Sequence, residues 1–111
     1  MSLEGVPDRA EVGILSLAIE PLADPTDDGR LESPNRLMVQ PDLPPASTVD
    51  TLWHELLHAM GTAHGIPLLR GDSKRTEDFI LQLAPALTVF FRDNPALGMW
   101  MLKEAVRSRG V

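Results

Sequence analysis

Prolines divide this chain of 111 residues into two unlike halves. Seven of the ten prolines lie within residues 1–45, and because proline fixes φ and lacks a backbone donor, that part of the chain cannot be mainly helical. Beyond it, apolar residues recur with helical spacing. This order predicts a small α+β fold in which a short N-terminal β-sheet precedes three helices. The length suits a single domain, residues 1–111.

Two segments of the first half have the apolar pattern of strands. Residues 36–40 predict a short strand. Residues 21–35, which precede it, are expected to form a loop or hairpin excursion long enough to line a site. Residues 11–20 predict a largely buried strand whose one face carries alternate apolar residues: Leu15, Leu17 and Ile19.

The first helix is predicted from a capping pattern at residues 47–50, in which a hydroxyl residue precedes a carboxylate by three positions. Gly61 or Gly65 is expected to end it. A single apolar stripe is expected to pack this helix against the rest of the domain. The stripe consists of Val49, Leu52, Leu56, Ala59 and Met60.

Two further helices are expected downstream. The second begins near residues 73–75, runs to about residue 92 and is kinked at Pro85. Asn94 followed by Pro95 is typical of a helix start, so a third helix is expected from there to about Ser108, stopped by Gly110. Apolar residues on the third helix can form core or a docking patch, and core is the preferred interpretation: Met99, Trp100, Met101 and Leu102.

Composition excludes several classes of function. The chain contains no cysteine, which excludes a disulfide framework, a thiolate metal site and a cysteine nucleophile. Its net charge is −6 without a stripe of basic residues, so nucleic acid is not an expected partner. No segment is long and apolar enough to span a bilayer, and the N-terminus lacks the pattern of a secretory signal. We therefore expect no membrane partner and a cytoplasmic location.

The first predicted helix contains the motif HExxH, from His54 to His58. Residues four apart lie about 40° apart around a helix and one turn along it, so both imidazoles can reach one ion. Glu55 projects about 100° from His54, where its carboxylate can reach a metal-bound water without binding the metal itself. Two solvated histidines on a helix surface are the alternative. The amphipathic helix and the polar neighbours of the histidines favour the metal site.

A catalytic zinc site needs a third protein ligand and one open position. One candidate is Glu77, which lies near the start of the second helix on the flank of its apolar face, where a buried carboxylate needs a compensating partner. Its alternative role is to complement the helix dipole. The other candidate is His64, which with Gly61 completes the string HExxHxxGxxH, the signature of metzincins. Glu77 is preferred as the ligand because a packed helix holds a side chain more rigidly than a glycine-flanked segment.

The second half also resembles a group of small phage and prophage proteins built around HExxH. The resemblance covers roughly residues 36–100. It is carried by Thr51–Ala59 (TLWHELLHA), by Glu77, by Leu83–Leu87 (LAPAL) and by Phe91–Pro95 (FRDNP). The eighteen residues between His58 and Glu77 also resemble the spacing in gluzincin aminopeptidases.

The resemblance implies a minimal zincin-like metallopeptidase domain of the gluzincin class. It implies Zn²⁺ as the cofactor, His54, His58 and Glu77 as its ligands, and Glu55 as the general base. The expected function is hydrolysis of a peptide or protein substrate by a metal-activated water. His64 is then the candidate for stabilising the oxyanion, and the strand around Leu37–Val39 is the candidate sheet edge for binding an extended peptide.

Two other functions stay open. The first is a non-catalytic, zinc-stabilised interaction module of phage origin, which a closed site of four ligands would indicate: His54, His58, His64 and Glu77. The second is a protein–protein module with a vestigial site, which would use the apolar residues of the third helix for docking.

Overall fold

The proline-rich half of the chain contains four strands, and the rest contains three helices. A computed structural model describes residues 3–32 and 35–108. This order confirms the predicted α+β fold. In chain order the elements are β1 (Arg9–Val12), β2 (Leu15–Pro21), β3 (Gly29–Glu32), β4 (Arg36–Val39), α1 (Pro45–His64), α2 (Lys74–Asp93) and α3 (Pro95–Ser108).

The four strands form one mixed sheet in the order β1-β2-β4-β3. β1 and β2 are antiparallel, β2 and β4 are parallel, and β3 is antiparallel to β4. The prediction of a single strand over residues 11–20 is wrong, because the chain turns after Val12, which pairs with Leu15. Gly13 has a φ of 57°, a left-handed conformation that glycine adopts without the steric cost of a Cβ atom.

β4 lies inside the sheet, between β2 and β3. The prediction that the strand around Leu37–Val39 is an edge open to a peptide is therefore wrong. The physical reason is β3, which forms within the predicted loop and pairs with the side of β4 that β2 leaves free. Leu37 and Val39 are 0% and 1% exposed, as central strand residues should be. Among the described strands, β1 and β3 are the edges.

α1 begins before the predicted capping pattern. Pro44 is the N-cap and Pro45 the first helical residue, a position where the missing N–H of proline costs little. The hydroxyl residues of the pattern lie inside the helix, where Thr48 Oγ1 donates to the carbonyl of Pro44 at 3.3 Å. α1 ends at Gly65, one of the two predicted stops, which has a left-handed φ of 64°.

α1 is packed on two sides, and one of them is the predicted stripe, since Leu52, Leu56 and Met60 pack against the sheet cluster that contains Ala59. Its Ala59 joins a buried cluster with residues of the sheet: Val12, Leu17, Leu37 and Val39. Its Leu57 joins a second cluster with residues beyond α1: Leu69, Ile80 and Ala84. Val49, the first residue of the predicted stripe, is 40% exposed. α1 is therefore the central layer between the sheet and α2.

α2 and α3 differ in how much they bury. α2 continues through Pro85 and buries Ile80 and Ala84, whereas α3 has no buried residue. The expectation that the apolar residues of α3 belong to the core is wrong, because this helix packs mainly against α2 and none of its described residues is buried. Met99, Trp100, Met101 and Leu102 are 54%, 60%, 44% and 55% exposed. The predicted stop at Gly110 lies outside the described residues.

None of the helices within residues 3–32 and 35–108 has the length and apolar character needed to cross a membrane.

Ile80 and Trp100 test this division between α2 and α3. Ile80 is 0% exposed and Trp100 60%. Ile80→Ala removes buried methyl groups and should lower the free energy of unfolding by about 2–5 kcal/mol. Trp100→Ala should change it by less than about 0.5 kcal/mol, since an exposed side chain loses little contact. Urea denaturation followed by circular dichroism measures both, and an equal loss in the two variants would show that α3 is packed in solution.

Candidate metal centre

Three side chains from α1 and α2 converge at one point. The Nε2 atom of His54 is 3.3 Å from Oε2 of Glu77, and Nε2 of His58 is 2.6 Å from Oε1 of the same carboxylate. The two imidazole rings lie one helical turn apart, with centroids separated by 5.2 Å. One ligand atom from each of the three residues lies within 4.8 Å of the others, a geometry that can hold a metal ion.

The start of α2 brings Glu77 to the histidines. Ser73 is the N-cap, and its side chain accepts a hydrogen bond from the backbone N–H of Thr76 at 3.2 Å. Thr76 is itself buried, so this first turn is anchored. Three and seven residues beyond Glu77, the buried side chains of Ile80 and Ala84 pack with the α1 residue Leu57. Residues at these spacings share one helix face, and Glu77 therefore faces α1.

His54, His58 and Glu77 form a candidate metal-binding group, called the metal-binding group below. It lies where the contact between α1 and α2 reaches the protein surface. The side chains of His54 and His58 are 22% and 14% exposed, and that of Glu77 is 37% exposed. The histidines are thus mostly buried, which argues against the alternative of two solvated histidines on a helix surface. Leu81, which lies four residues beyond Glu77 and so on the same side of α2, is 59% exposed, so only part of that side is buried.

Glu55 is a buried carboxylate next to this group. The residue is 7% exposed, and its Oε2 atom has no hydrogen-bond partner among the described residues. Burial, together with the smaller effect of the negative charges of Glu77 and Asp27, raises the pKa of Glu55 to about 7. A carboxyl group without a partner is costly in this position, so its placement beside the histidines is a feature that fold stability does not explain.

A cleft of about 480 Å³ opens on the His54 side of the centre. β3 and the loop before it form one wall, and α1 and α2 form the others. Gly29 at the start of β3 lies close to α1, because a Cβ atom there would come within 3.8 Å of Cγ of Glu55. The acidic residues of this loop, Asp27 and Asp28, are site residues that the sequence reasoning missed. The one available signal was the acidic composition of the predicted loop.

The structure does not bring His64 to the metal-binding group. α1 continues without interruption to His64, and six residues of helix place it about 240° around the axis from His58. His64 lies instead at the sheet end, where its Cε1 atom is 3.3 Å from the position of a Cβ atom on Gly13. The predicted catalytic role of His64 does not hold in this structure, and neither does the metzincin-like interpretation that makes it a ligand.

Gly61 has a packing role that explains its place in the motif. A Cβ atom there would lie 2.6 Å from the backbone nitrogen of Arg70 and would contact the backbone of Leu69 still more closely. The turn after α1 therefore lies directly on the helix at Gly61. In metzincins the glycine lets the chain turn towards the metal, whereas here it lets a neighbouring segment approach.

Gly61→Ala should therefore destabilise the fold by about 1–3 kcal/mol, because the backbone of the turn cannot easily move away from the new methyl group. In an open helical position the same change would stabilise by about 0.5–1 kcal/mol. Thr62→Ala, at the exposed neighbouring position, is the control. Chemical denaturation measures both variants, and a stable Gly61→Ala protein with weakened metal binding would contradict this packing role.

The third ligand can be tested by metal affinity in competition with a chelator. Glu77→Ala should weaken binding by at least about tenfold, because it removes one of three converging ligands. His64→Ala and Asp78→Ala should leave the affinity unchanged. Asp78 is a matched control, since it follows Glu77 on α2 and pairs with Lys74 at 2.9 Å. Loss of metal in His64→Ala with retention in Glu77→Ala would reverse the ligand assignment.

Comparisons of the chain with protein-family models, with curated proteins and with solved structures find no match. The resemblance to small phage proteins and the cytoplasmic location accordingly stay predictions. The candidate site depends on the geometry of this chain alone.

Proposed function

We propose that this protein is a zinc-dependent metallopeptidase of the gluzincin type. The donor set supports zinc, since two imidazoles and one carboxylate are ligands that zinc accepts in catalytic sites. The separation of 3.3 Å between His54 Nε2 and Glu77 Oε2 is close to the roughly 3.4 Å between two ligands of one tetrahedral zinc ion. The 2.6 Å between His58 Nε2 and Glu77 Oε1 is a hydrogen-bond distance, which would lengthen around an ion. The residues therefore fit the metal.

The number of ligands favours a catalytic site over a structural one. Within the described part of the chain the group has three members, His54, His58 and Glu77. Three protein ligands leave one position for water or substrate, whereas structural zinc sites are closed by four. The alternative of a non-catalytic zinc-stabilised module needs a fourth ligand, and His64 lies too far around α1 to supply it.

The observation that carries the proposal is Glu55. Its carboxylate is buried beside His54, and one of its oxygens has no partner. A structural site has no use for such a group, whereas hydrolysis needs a base next to the ligands. Zinc bound by the three residues would lower the pKa of a bound water and polarise the scissile carbonyl. Glu55 would accept the proton of that water and deliver it to the leaving amine.

The substrate strand is assigned to β3 in place of β4. β3 is an edge of the described sheet, and its first residue, Gly29, lines the cleft beside Glu55. An extended peptide added to this edge would run past the carboxylate, with backbone hydrogen bonds supplying affinity. The expected substrate is therefore a peptide or an unstructured segment of a protein.

Glu55→Gln is the test of this mechanism. The variant should keep the fold and the zinc, because Glu55 is not a ligand, and should lose at least about a hundredfold in the rate of hydrolysis, because an amide cannot accept the proton. Zinc content is measured by atomic absorption and hydrolysis with fluorescently labelled casein. Glu4→Gln, on the exposed N-terminal segment, is the control for the same chemical change.

Two outcomes would overturn the proposal. If Glu55→Gln loses zinc, the residue is a ligand and the base is missing. If the zinc-loaded protein hydrolyses nothing while zinc removal unfolds it, the metal serves the fold and the non-catalytic module is correct.

A further inference from the structure

The cleft beside the metal centre has a strongly negative lining. The lining includes no Lys or Arg, and its one imidazole belongs to His54, a candidate metal ligand. Four lining residues carry carboxyl groups: Asp27, Asp28, Asp50 and Glu55. They come from two separate parts of the fold, the loop before β3 and the N-terminal half of α1. Negative groups from different elements repel one another in the empty cleft unless a positive group lies between them.

Only one of the four is balanced by a neighbouring base. Asp27 lies 3.4 Å from Arg30 Nε and accepts a hydrogen bond from the backbone N–H of Gly29. Asp28 and Asp50 have no basic side chain within 4.0 Å among residues 3–32 and 35–108. Their charges are therefore available to a ligand.

Two buried oxygens of this cleft also lack hydrogen-bond partners. They are Oδ1 of Asp50 and Oε2 of Glu55. Glu55 is nine-tenths buried at 7% exposure, so bulk water does not satisfy it freely. Buried acceptors without donors are rare in folded proteins and each costs free energy. A ligand that donates several N–H groups into the cleft would remove that cost.

We propose that this cleft binds a cationic nitrogen group of the substrate, an ammonium or a guanidinium, through the carboxylates of Asp50 and Asp28. The inference depends on the proposed peptidase function for its substrate class. Ammonium and guanidinium groups carry several donors and no acceptor, which matches a lining of carboxylate oxygens. A basic side chain and a free amino terminus both offer this chemistry.

A metal ion bound by His54, His58 and Glu77 would not cancel the preference of this cleft for a cationic group. The carboxylates of Glu55 and Glu77 offset the charge of one divalent cation, and Asp28 and Asp50 keep their own. Asp50 precedes His54 by four residues on α1, which is about one helical turn or 5.4 Å. An extended peptide advances about 3.3–3.6 Å per residue. The cationic group therefore belongs to a residue within about two positions of the scissile bond.

The test uses zinc-loaded full-length protein and three peptides of equal length. One is N-acetylated and contains a central lysine, one is N-acetylated with norleucine in its place, and one has norleucine and a free amino terminus. Kd is measured by calorimetry and kcat/KM by product formation. The lysine peptide or the free-amine peptide should bind at least about tenfold more tightly than the neutral peptide, with a correspondingly higher kcat/KM. A tenfold ratio is expected for one charged hydrogen bond. Which of the two does so identifies the source of the cation.

The variants Asp50→Asn and Asp28→Asn should each reduce this ratio and leave zinc affinity unchanged. Asp42→Asn, which removes an exposed acid outside the cleft, should retain the ratio. Asp28 lies in an exposed loop, so its variant keeps the test valid if Asp50→Asn folds poorly. Raising the salt concentration should also reduce the ratio.

The results separate this inference from the peptidase function. Hydrolysis of all three peptides with equal kcat/KM would refute the cation subsite and leave the peptidase function intact. A preference in Kd with no hydrolysis of any peptide would refute the peptidase function and leave the subsite. Displacement of the lysine peptide by millimolar Ca²⁺, with no effect of Na⁺ at equal ionic strength, would overturn the subsite in favour of a second metal site.

Discussion

The contact between α1 and α2 determines the geometry of the candidate metal site. Leu57 on α1 packs with Ile80 and Ala84 on α2, and this small apolar cluster sets the rotation of α2 about its axis. Because Glu77 lies one turn before Ile80 on the same face, that rotation brings its carboxylate to the two imidazoles of α1. A substitution in this cluster is therefore expected to displace the Glu77 carboxylate as well.

A second constraint is the way the sheet closes one side of the cleft. β3 pairs with β4 in the centre of the sheet and brings Gly29 against α1 beside Glu55. The same contact buries Glu55 and places the acidic loop across from Asp50. The burial of Glu55 and the negative charge of the cleft thus have the same structural cause, which is the contact between β3 and α1. A domain of this size has little apolar core, so a buried carboxylate without a partner is a substantial cost.

The apolar surface of α3 is the other unusual feature. α3 packs mainly against α2, with Gly98 placed close to Phe91, and its large apolar side chains face outwards. Their helical periodicity is the same as that of a core helix, which is why periodicity alone assigned them to the core. Whether a helix face is covered depends on what the remaining chain offers it, and here the sheet and α2 both pack against α1.

Local sequence patterns were enough to predict much of the secondary structure and the candidate ligands of this protein. The prolines determined where helices could not form, because the loss of a backbone donor acts on each residue separately. Residue spacing placed His54 and His58 on one face of a helix, and Ser73 and Gly65 supplied the helix ends close to where they were expected. Glu77 could be chosen over His64 from its position on the flank of an apolar helix face, since that flank must meet another element.

Only the tertiary structure decided which strand lies at the edge of the sheet, which helix stays exposed and where His64 points. These features depend on contacts between segments that are distant in the chain, and a one-dimensional pattern does not contain them. Gly61 illustrates the limit, since its spacing from the histidines matches a known motif while its role is contact with Leu69 and Arg70. The sequence by itself predicted the two candidate ligands on α1. Packing between α1, α2 and β3 decided the position of Glu77, the burial of Glu55 and the acidic lining of the cleft, because charge and burial depend on what lies across a gap.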